Sequence, residues 1–100
     1  MPNVQNQSSL SLDTIVFALS DTARWRLLAE LASGEGRMII DLARRIGRSS
    51  NSTTKHLQVL LRAGILIKRS RLYHLAEGFR PAPGSREIDF GSCVIRLDRF

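Results

Sequence analysis

The chain is poor in the residues that build disulfide, metal and membrane structures. Its 100 residues include a single cysteine, Cys93, which excludes an internal disulfide and any multi-cysteine metal site. No apolar run approaches the roughly 20 residues that a membrane helix needs. The polar start MPNVQNQSS does not resemble a secretory signal peptide. These absences predict a cytoplasmic protein that does not contact a membrane.

The residue patterns that carry catalysis are also missing. His56 and His74 lie on different predicted elements, without a cysteine or carboxylate partner at metal-ligand spacing. Gly34 and Gly36 lack the third glycine and the preceding strand of a phosphate-binding loop. Cys93 lies on an apolar strand face, which predicts a buried structural thiol, whereas a redox sensor would need that thiol to be reactive. We therefore expect no enzyme activity, no metal and no cofactor.

Positive charge exceeds negative charge and is concentrated in one part of the chain. The sequence has 15 Lys and Arg and 9 Asp and Glu, a net charge of +6. Residues 37–71 carry nine basic residues against Asp41 alone, a net +8, whereas residues 1–36 carry a net −2 and residues 72–100 are neutral. A basic patch of this kind is typical of nucleic-acid binding, and a solvated basic surface is the alternative.

The basic segment contains two predicted helices joined by a tight turn. The first covers residues 41–46, with a loosely placed start because Met38-Ile39-Ile40 is a poor capping sequence. It ends at Gly47, which tolerates the positive φ of a helix end. The second helix, residues 49–63, can be capped by Ser49 or Ser50 and stops before Gly64.

The second of these helices has one apolar and one polar face. Helical spacing predicts a buried face made of Thr53, Leu57, Leu60 and Leu61. It predicts an outward face made of Asn51, Lys55, Gln58 and Arg62, with Thr54 beside them. A helix with an apolar face and a small, amide-rich, basic face suits a DNA major groove.

Two further helices are predicted ahead of this pair. Ser11 can cap the first, in which Leu12, Ile15, Val16 and Leu19 form one apolar stripe. The second begins at Ser20 or Asp21, reaches Ala32 and is apolar on two faces. Such a helix is central to a small bundle or contacts a partner subunit, and we favour packing of Trp25 on the first helix.

Extended segments follow the helices. They are predicted at residues 65–67, 71–76 and 93–98, and pairing of 71–76 with 93–98 would make a β-hairpin. Residues 77–92 would then be a long wing loop, because their prolines and glycines disfavour regular structure. Phe79 and Phe90 at its ends could attach the loop to the body of the protein.

Four helices followed by a β-hairpin form the element order of a winged helix. The predicted fold is therefore α+β, mainly α: a winged helix-turn-helix. Residues 1–9 lack periodicity and are expected to form a flexible tail, while residues 10–100 form a single winged helix DNA-binding domain.

Three segments of the chain resemble the ArsR-type winged-helix transcription regulators. They are ALSDTARWRLLAEL (18–31), DLARRIGRSSNSTTKHLQVLLRAGIL (41–66) and Leu72-Tyr73-His74-Leu75. The second resembles the helix-turn-helix of that family without a gap, and the third resembles the end of its first wing strand. The resemblance implies a bacterial-type, sequence-specific regulator of double-stranded DNA, a repressor, whose second helix of the pair enters the major groove.

The resemblance also implies which residues contact DNA. Base-contact candidates on helix 49–63 are Ser50, Asn51, Ser52, Thr54, Lys55 and Gln58. Phosphate-contact candidates around it are Arg44, Arg45, Arg48, Ser49, Arg62, Arg69, Arg71, Arg80 and Arg86. Arg80 and Arg86 lie on the predicted wing loop, for which an ordered surface loop is the alternative. His56 borders the predicted core, so a structural role is expected for it.

The sequence departs from the ArsR pattern in several places. Met38-Ile39-Ile40 stands where many members carry metal-sensing cysteines. The sequence ends at Phe100, so we expect no C-terminal helix for zinc binding and dimerisation. A homodimer would then use helices 11–19 and 21–32. Arg48 and Thr53 replace usually apolar residues, and the predicted wing loop is long. The alternative function is a winged-helix protein-interaction module that does not bind specific DNA.

Overall fold

The structure is a computed structural model that describes residues 10–98, and its four α-helices precede its strands. The helices are α1 (Leu12–Ala18), α2 (Thr22–Leu31), α3 (Ile39–Ile46) and α4 (Ser50–Arg62). The later elements are β1 (Leu66–Arg69), β2 (Leu72–Leu75), a 3-10 helix (Glu77–Phe79), β3 (Glu87–Asp89) and β4 (Val94–Arg96). This order confirms the predicted mainly α winged helix-turn-helix. The predicted tail, residues 1–9, lies outside the described residues.

Capping side chains mark the helix starts that the sequence predicted. Asp21 accepts a hydrogen bond from the Ala23 amide at the start of α2. Ser49 accepts one from the Ser52 amide at the start of α4, which decides between the two candidate serines. Met38 precedes α3 without a side-chain cap, and Gly47 ends that helix with a φ of 72°. None of the helices within residues 10–98 is long and apolar enough to cross a membrane.

The wing is a hairpin of β1 and β2, which corrects the predicted strand pairing. The strands are antiparallel, with Arg69 opposite Leu72, so Ser70 and Arg71 form the turn. Ser70 has a φ of 57° and lets the chain reverse without glycine or proline. The predicted pairing of residues 71–76 with 93–98 is therefore wrong, and residues 77–92 are not the wing loop.

A second hairpin, β3 with β4, occupies the C-terminal part of the described chain. Ile88 pairs with Ile95 in an antiparallel register, so residues 77–92 are more regular than predicted. The Phe79 and Phe90 rings pack 5.2 Å apart between centroids, which confirms that they attach this segment to the body. The Leu10 amide donates to the Phe90 carbonyl at 2.9 Å and ties the start of the described chain to this hairpin.

One core collects side chains from all four helices and both hairpins. It is built largely from leucines of α2 and α4, from strand residues, and from Phe79 of the 3-10 helix and Phe90 of the second hairpin. The Trp25 indole donates to the Leu19 carbonyl at 2.8 Å, which confirms its packing beside α1. The predicted stripe on α1 is wrong in part: Ile15 is buried together with Ala18, whereas Leu12 and Val16 are exposed.

Replacing Phe90 tests whether the second hairpin is part of the core. Phe90 is fully buried, so Phe90→Ala should lower the free energy of unfolding by about 3–5 kcal/mol, measured by urea denaturation. Val94→Ala on β4 is the matched control, because Val94 is 54% exposed, and it should change stability by no more than about 0.5 kcal/mol. Equal, small effects of the two substitutions would show that the hairpin adds nothing to the core.

Candidate nucleic-acid interface

The position of α4 follows from the side chains on its inner face. Thr53, Leu57 and Leu60 are fully buried as predicted, whereas Leu61 is only half-buried. Thr53 is a polar residue with 0% exposure, and its hydroxyl donates to the Ser49 carbonyl at 2.8 Å. A threonine is therefore accommodated at this position without an unsatisfied hydroxyl. The helix packs against α2, α3 and β1.

The opposite face of α4 carries the predicted base-contact candidates. Asn51, Lys55 and Gln58 are exposed, as is Ser50 at the first turn, and Ser52 is half-buried. The hydroxyl of half-buried Thr54 donates to the Ser50 carbonyl at 2.8 Å. Its donor is thus used inside the helix, which leaves the Thr54 oxygen as an acceptor and its methyl group for apolar contact.

The two arginines of α3 differ in their exposure and in how closely acidic side chains hold them. Arg45 bonds Asp41 through Nε at 3.1 Å and Glu30 through Nη1 at 3.1 Å, and its side chain is 42% exposed. The Arg44 side chain is 73% exposed and only approaches Asp41, at 3.7 Å. Arg44 is the more available of the two for an external phosphate, whereas Arg45 joins α3 to α2.

Asp41 holds this arrangement together as an ionised carboxylate. Desolvation alone would raise its pKa, but hydrogen bonds and positive charge from Arg45 and Arg37 outweigh that effect and lower the pKa below its usual value. Asp41 therefore stays ionised at neutral pH. It is the one acidic residue of the basic segment, and it pairs with Arg37 and Arg45 inside the fold.

The wing presents a compact group of basic side chains. Arg69 and Arg71 flank Ser70 at the turn and are exposed, as residues that contact phosphates must be. Lys68 on β1 is exposed beside them, with Nζ 5.1 Å from the centre of the Tyr73 ring. Lys68 was not among the sequence candidates, although it belongs to the same basic segment as Arg69 and Arg71. The two backbone bonds between Arg37 and Tyr73 attach this hairpin to the start of α3.

Arg80 and Arg86 do not lie on the wing. Arg80 Nε donates to the Leu75 carbonyl at 3.3 Å, and Arg86 Nη2 donates to the Leu97 carbonyl at 3.2 Å. Both belong to the segment of the second hairpin, so the prediction that they extend from a wing loop is wrong. The alternative, an ordered surface loop, fits residues 80–86 but not residues 87–92, which include β3 and buried Phe90.

A buried arginine joins α4 to the first two helices. Arg24 on α2 is 8% exposed and donates to the Ala18 and Phe17 carbonyls and to the Ser20 hydroxyl. Its Nη1 lies 2.9 Å from Nδ1 of His56 on α4. The geometry confirms the structural role predicted for His56. Arg24 escaped the sequence analysis because it lies in the acidic part of the chain.

Comparison with protein families agrees with this geometry. A family described as a helix-turn-helix domain matches residues 19–69, about half of the chain. The chain belongs to this family. The helix-turn-helix domain indicates a DNA-binding regulator, and its family is typically non-enzymatic. Comparisons with curated proteins and with solved structures found no match.

The matched region of the helix-turn-helix domain runs from the end of α1 to the end of β1. It includes the whole of α3 and α4, the residues of the α4 outward face and the Arg24–His56 contact. The second hairpin lies outside it. Within residues 10–98, no three His, Cys, Asp or Glu side chains are grouped as a metal ion would need. Cys93 is half-buried just before β4.

Removing the cap of α4 tests how firmly the start of this helix is anchored. Ser49→Ala deletes the acceptor of the Ser52 amide and should lower stability by about 0.5–2 kcal/mol in urea denaturation. Ser50→Ala is the matched control one residue later, where the side chain is not the cap, and we expect a smaller effect. A Ser50→Ala loss equal to that of Ser49→Ala would contradict the assignment of the cap.

Proposed function

We propose that this helix-turn-helix domain is a sequence-specific, double-stranded DNA-binding transcriptional repressor of the ArsR type. The observation that carries the proposal is the outward face of α4, where Asn51, Lys55 and Gln58 are exposed on a helix whose other face is locked in the core. A rigid helix with short polar side chains at its N-terminal half is what major-groove reading requires. Repression follows if the domain occupies duplex DNA that transcription needs.

The α4 side chains have the chemistry for reading base edges. Asn51 and Gln58 can each bond an adenine edge through two hydrogen bonds, and Lys55 suits guanine, which presents two acceptors. Ser50, Ser52 and Thr54 complete the surface with small groups that approach bases closely. Such contacts discriminate by about 1–3 kcal/mol for each good bidentate pair.

Exposed cations surround this surface and would bind the phosphate backbone. Arg44 and Arg48 lie ahead of α4, and Arg62 lies at its end. Lys68, Arg69 and Arg71 form the exposed wing group on the β1–β2 hairpin, which follows this helix in the chain. Ser49 at the cap offers a hydroxyl to a phosphate near the α4 N-terminus, where the helix dipole favours negative charge. These contacts fix the position of the domain without reading sequence.

The domain also has a surface suited to pairing with a second copy. Leu12, Val16 and Phe17 of α1 are exposed, and Phe17 is 65% exposed. We propose a homodimer through α1, with α2 behind it, which would bind a two-fold symmetric site. The half-site spacing of DNA selected from random duplexes would report this symmetry, because two-fold proteins bind palindromic sites.

Duplex binding at low salt is the first test of the proposal. The purified protein should bind a selected duplex in a fluorescence anisotropy titration. Affinity should fall steeply with salt, with a slope of log K against log salt of about −5 for roughly six phosphate contacts. Retention on a DNA column should exceed that on a plain cation exchanger of the same charge. Failure to bind any duplex at low salt would favour the protein-interaction module instead.

Substitutions separate base reading from phosphate binding. Lys55→Ala with Gln58→Ala should reduce the ratio of specific to nonspecific affinity, because base contacts carry the discrimination. Arg44→Ala should weaken binding to all duplexes alike and reduce the salt slope by about 1. Arg45→Ala is the matched control, because its guanidinium is held by Asp41 and Glu30, and it should change the slope less. A larger slope change for Arg45→Ala than for Arg44→Ala would contradict the assignment.

A further inference from the structure

We propose that Arg24 and His56 form a pH-sensitive positioning pair that holds the reading helix α4 in place only while His56 is neutral. The inference rests on the proposed function, since it concerns how the same DNA-binding surface is regulated. It starts from the hydrogen bond between Arg24 Nη1 and His56 Nδ1, which joins α2 to α4 at 2.9 Å.

The chemistry of the guanidinium determines the proton on the imidazole. An arginine side chain carries only donors and stays charged in proteins, so it cannot accept a proton from His56. The 2.9 Å contact is therefore a hydrogen bond only if Nδ1 presents its lone pair. His56 must then be the neutral tautomer with its proton on Nε2.

Protonation of His56 would turn this attraction into repulsion. An imidazolium carries N–H groups on both ring nitrogens, so its Nδ1–H would face an Nη1–H of Arg24. Two positive charges would then be in hydrogen-bond contact, and little water reaches Arg24, which is 8% exposed. One of the two side chains has to leave the contact.

The buried arginine is the side chain that can move less. Arg24 is held by the Ala18 and Phe17 carbonyls and by the Ser20 hydroxyl, all at the junction of α1 and α2. His56 is half-buried and has solvent within reach. It follows Lys55 and precedes Leu57 on α4, so its displacement acts on a helix turn that carries a base-contact candidate.

The surroundings of His56 favour the neutral form. Burial lowers the pKa of His56 below its usual value, Asp21 at the start of α2 raises it, and the positive charges of Arg24 and Arg48 lower it. Asp21 is itself ionised, because the hydrogen bond from the Ala23 amide lowers its pKa. Around His56, α1 contributes backbone carbonyls to Arg24, α2 contributes Arg24 with Asp21 at its cap, and the α3–α4 turn contributes Arg48.

The sign of the pH effect distinguishes this pair from simple electrostatics. A proton adds positive charge and would ordinarily strengthen binding to the phosphate backbone. Here the competent form is the neutral one, so affinity is complete above the usual histidine pKa of about 6.5 and is lost as the pH falls through the lowered value. Below that value, affinity should approach a tenfold loss per pH unit, or about 1.4 kcal/mol.

The experiment measures the DNA affinity of the full chain as a function of pH and the protonation of the two ring nitrogens of His56. Anisotropy titrations with the selected duplex are made from about pH 7.5 to about pH 5 at constant ionic strength, across the range in which histidine titrates. The matched control is His56→Asn, whose side-chain oxygen can replace Nδ1 as an acceptor but cannot gain a proton in this range. It retains His74, so any effect of that histidine is common to both proteins. The ¹⁵N shifts of the His56 ring in the unbound wild-type protein report the tautomer independently of DNA and of how well the variant folds.

We expect a wild-type affinity that falls with acid, a His56→Asn affinity that changes less, and an unprotonated Nδ1 near neutral pH. If the duplex is bound at pH 7.5 but the wild-type affinity stays constant or rises with acid, the pH-sensitive role of Arg24 and His56 is overturned. The proposed function is then unaffected. A proton on Nδ1 at neutral pH would overturn the pH-sensitive role as well. The absence of duplex binding at every pH would instead overturn the proposed function, and the pair's role in DNA binding with it.

Discussion

The fold depends on burying one face of α4 while its opposite face stays clear of the rest of the chain. Leu57 and Leu60 have no exposed surface. Thr53 can be equally buried because its hydroxyl donates a hydrogen bond to the Ser49 carbonyl within the helix. The central helix α2 makes this possible, since its leucines face α4 and α3 and also support the strands. The polar side chains of α4 are thus directed outward by the packing of their neighbours.

Several arginines of this basic protein serve its interior contacts. Arg24 satisfies its guanidinium with carbonyls, a hydroxyl and the His56 ring, and so connects three helices at one point. Arg37 and Arg45 converge on Asp41, and Arg45 also reaches Glu30, which links α3 to α2. A count of positive charge therefore overstates the number of cations free for DNA. The more available ones are Arg44, whose side chain is 73% exposed and only approaches Asp41 at 3.7 Å, and those grouped at the wing.

The second hairpin extends the domain beyond the region that matches the helix-turn-helix family. It supplies Phe90, Ile88 and Leu97 to the core and is joined to Leu10 by backbone and side-chain hydrogen bonds. Residues near both ends of the described chain therefore meet on the same hairpin. Arg80 and Arg86, which precede β3, donate to backbone carbonyls, which is consistent with a role in packing, whereas Arg96 on β4 pairs with Glu87 and Asp98.

The sequence by itself determined the four helices, the candidates for their caps and the two faces of α4. Those features follow from contacts a few residues apart, such as Ser49 with Ser52, Gly47 at a helix end and the spacing of Leu57 and Leu60. The tertiary structure alone decided which strands pair, because Ser70 turns the chain without a recognisable turn residue and β1 then takes β2 as its partner. It also decided which arginines are free and brought Arg24 to His56, since these contacts join residues far apart in the chain and no local pattern encodes them.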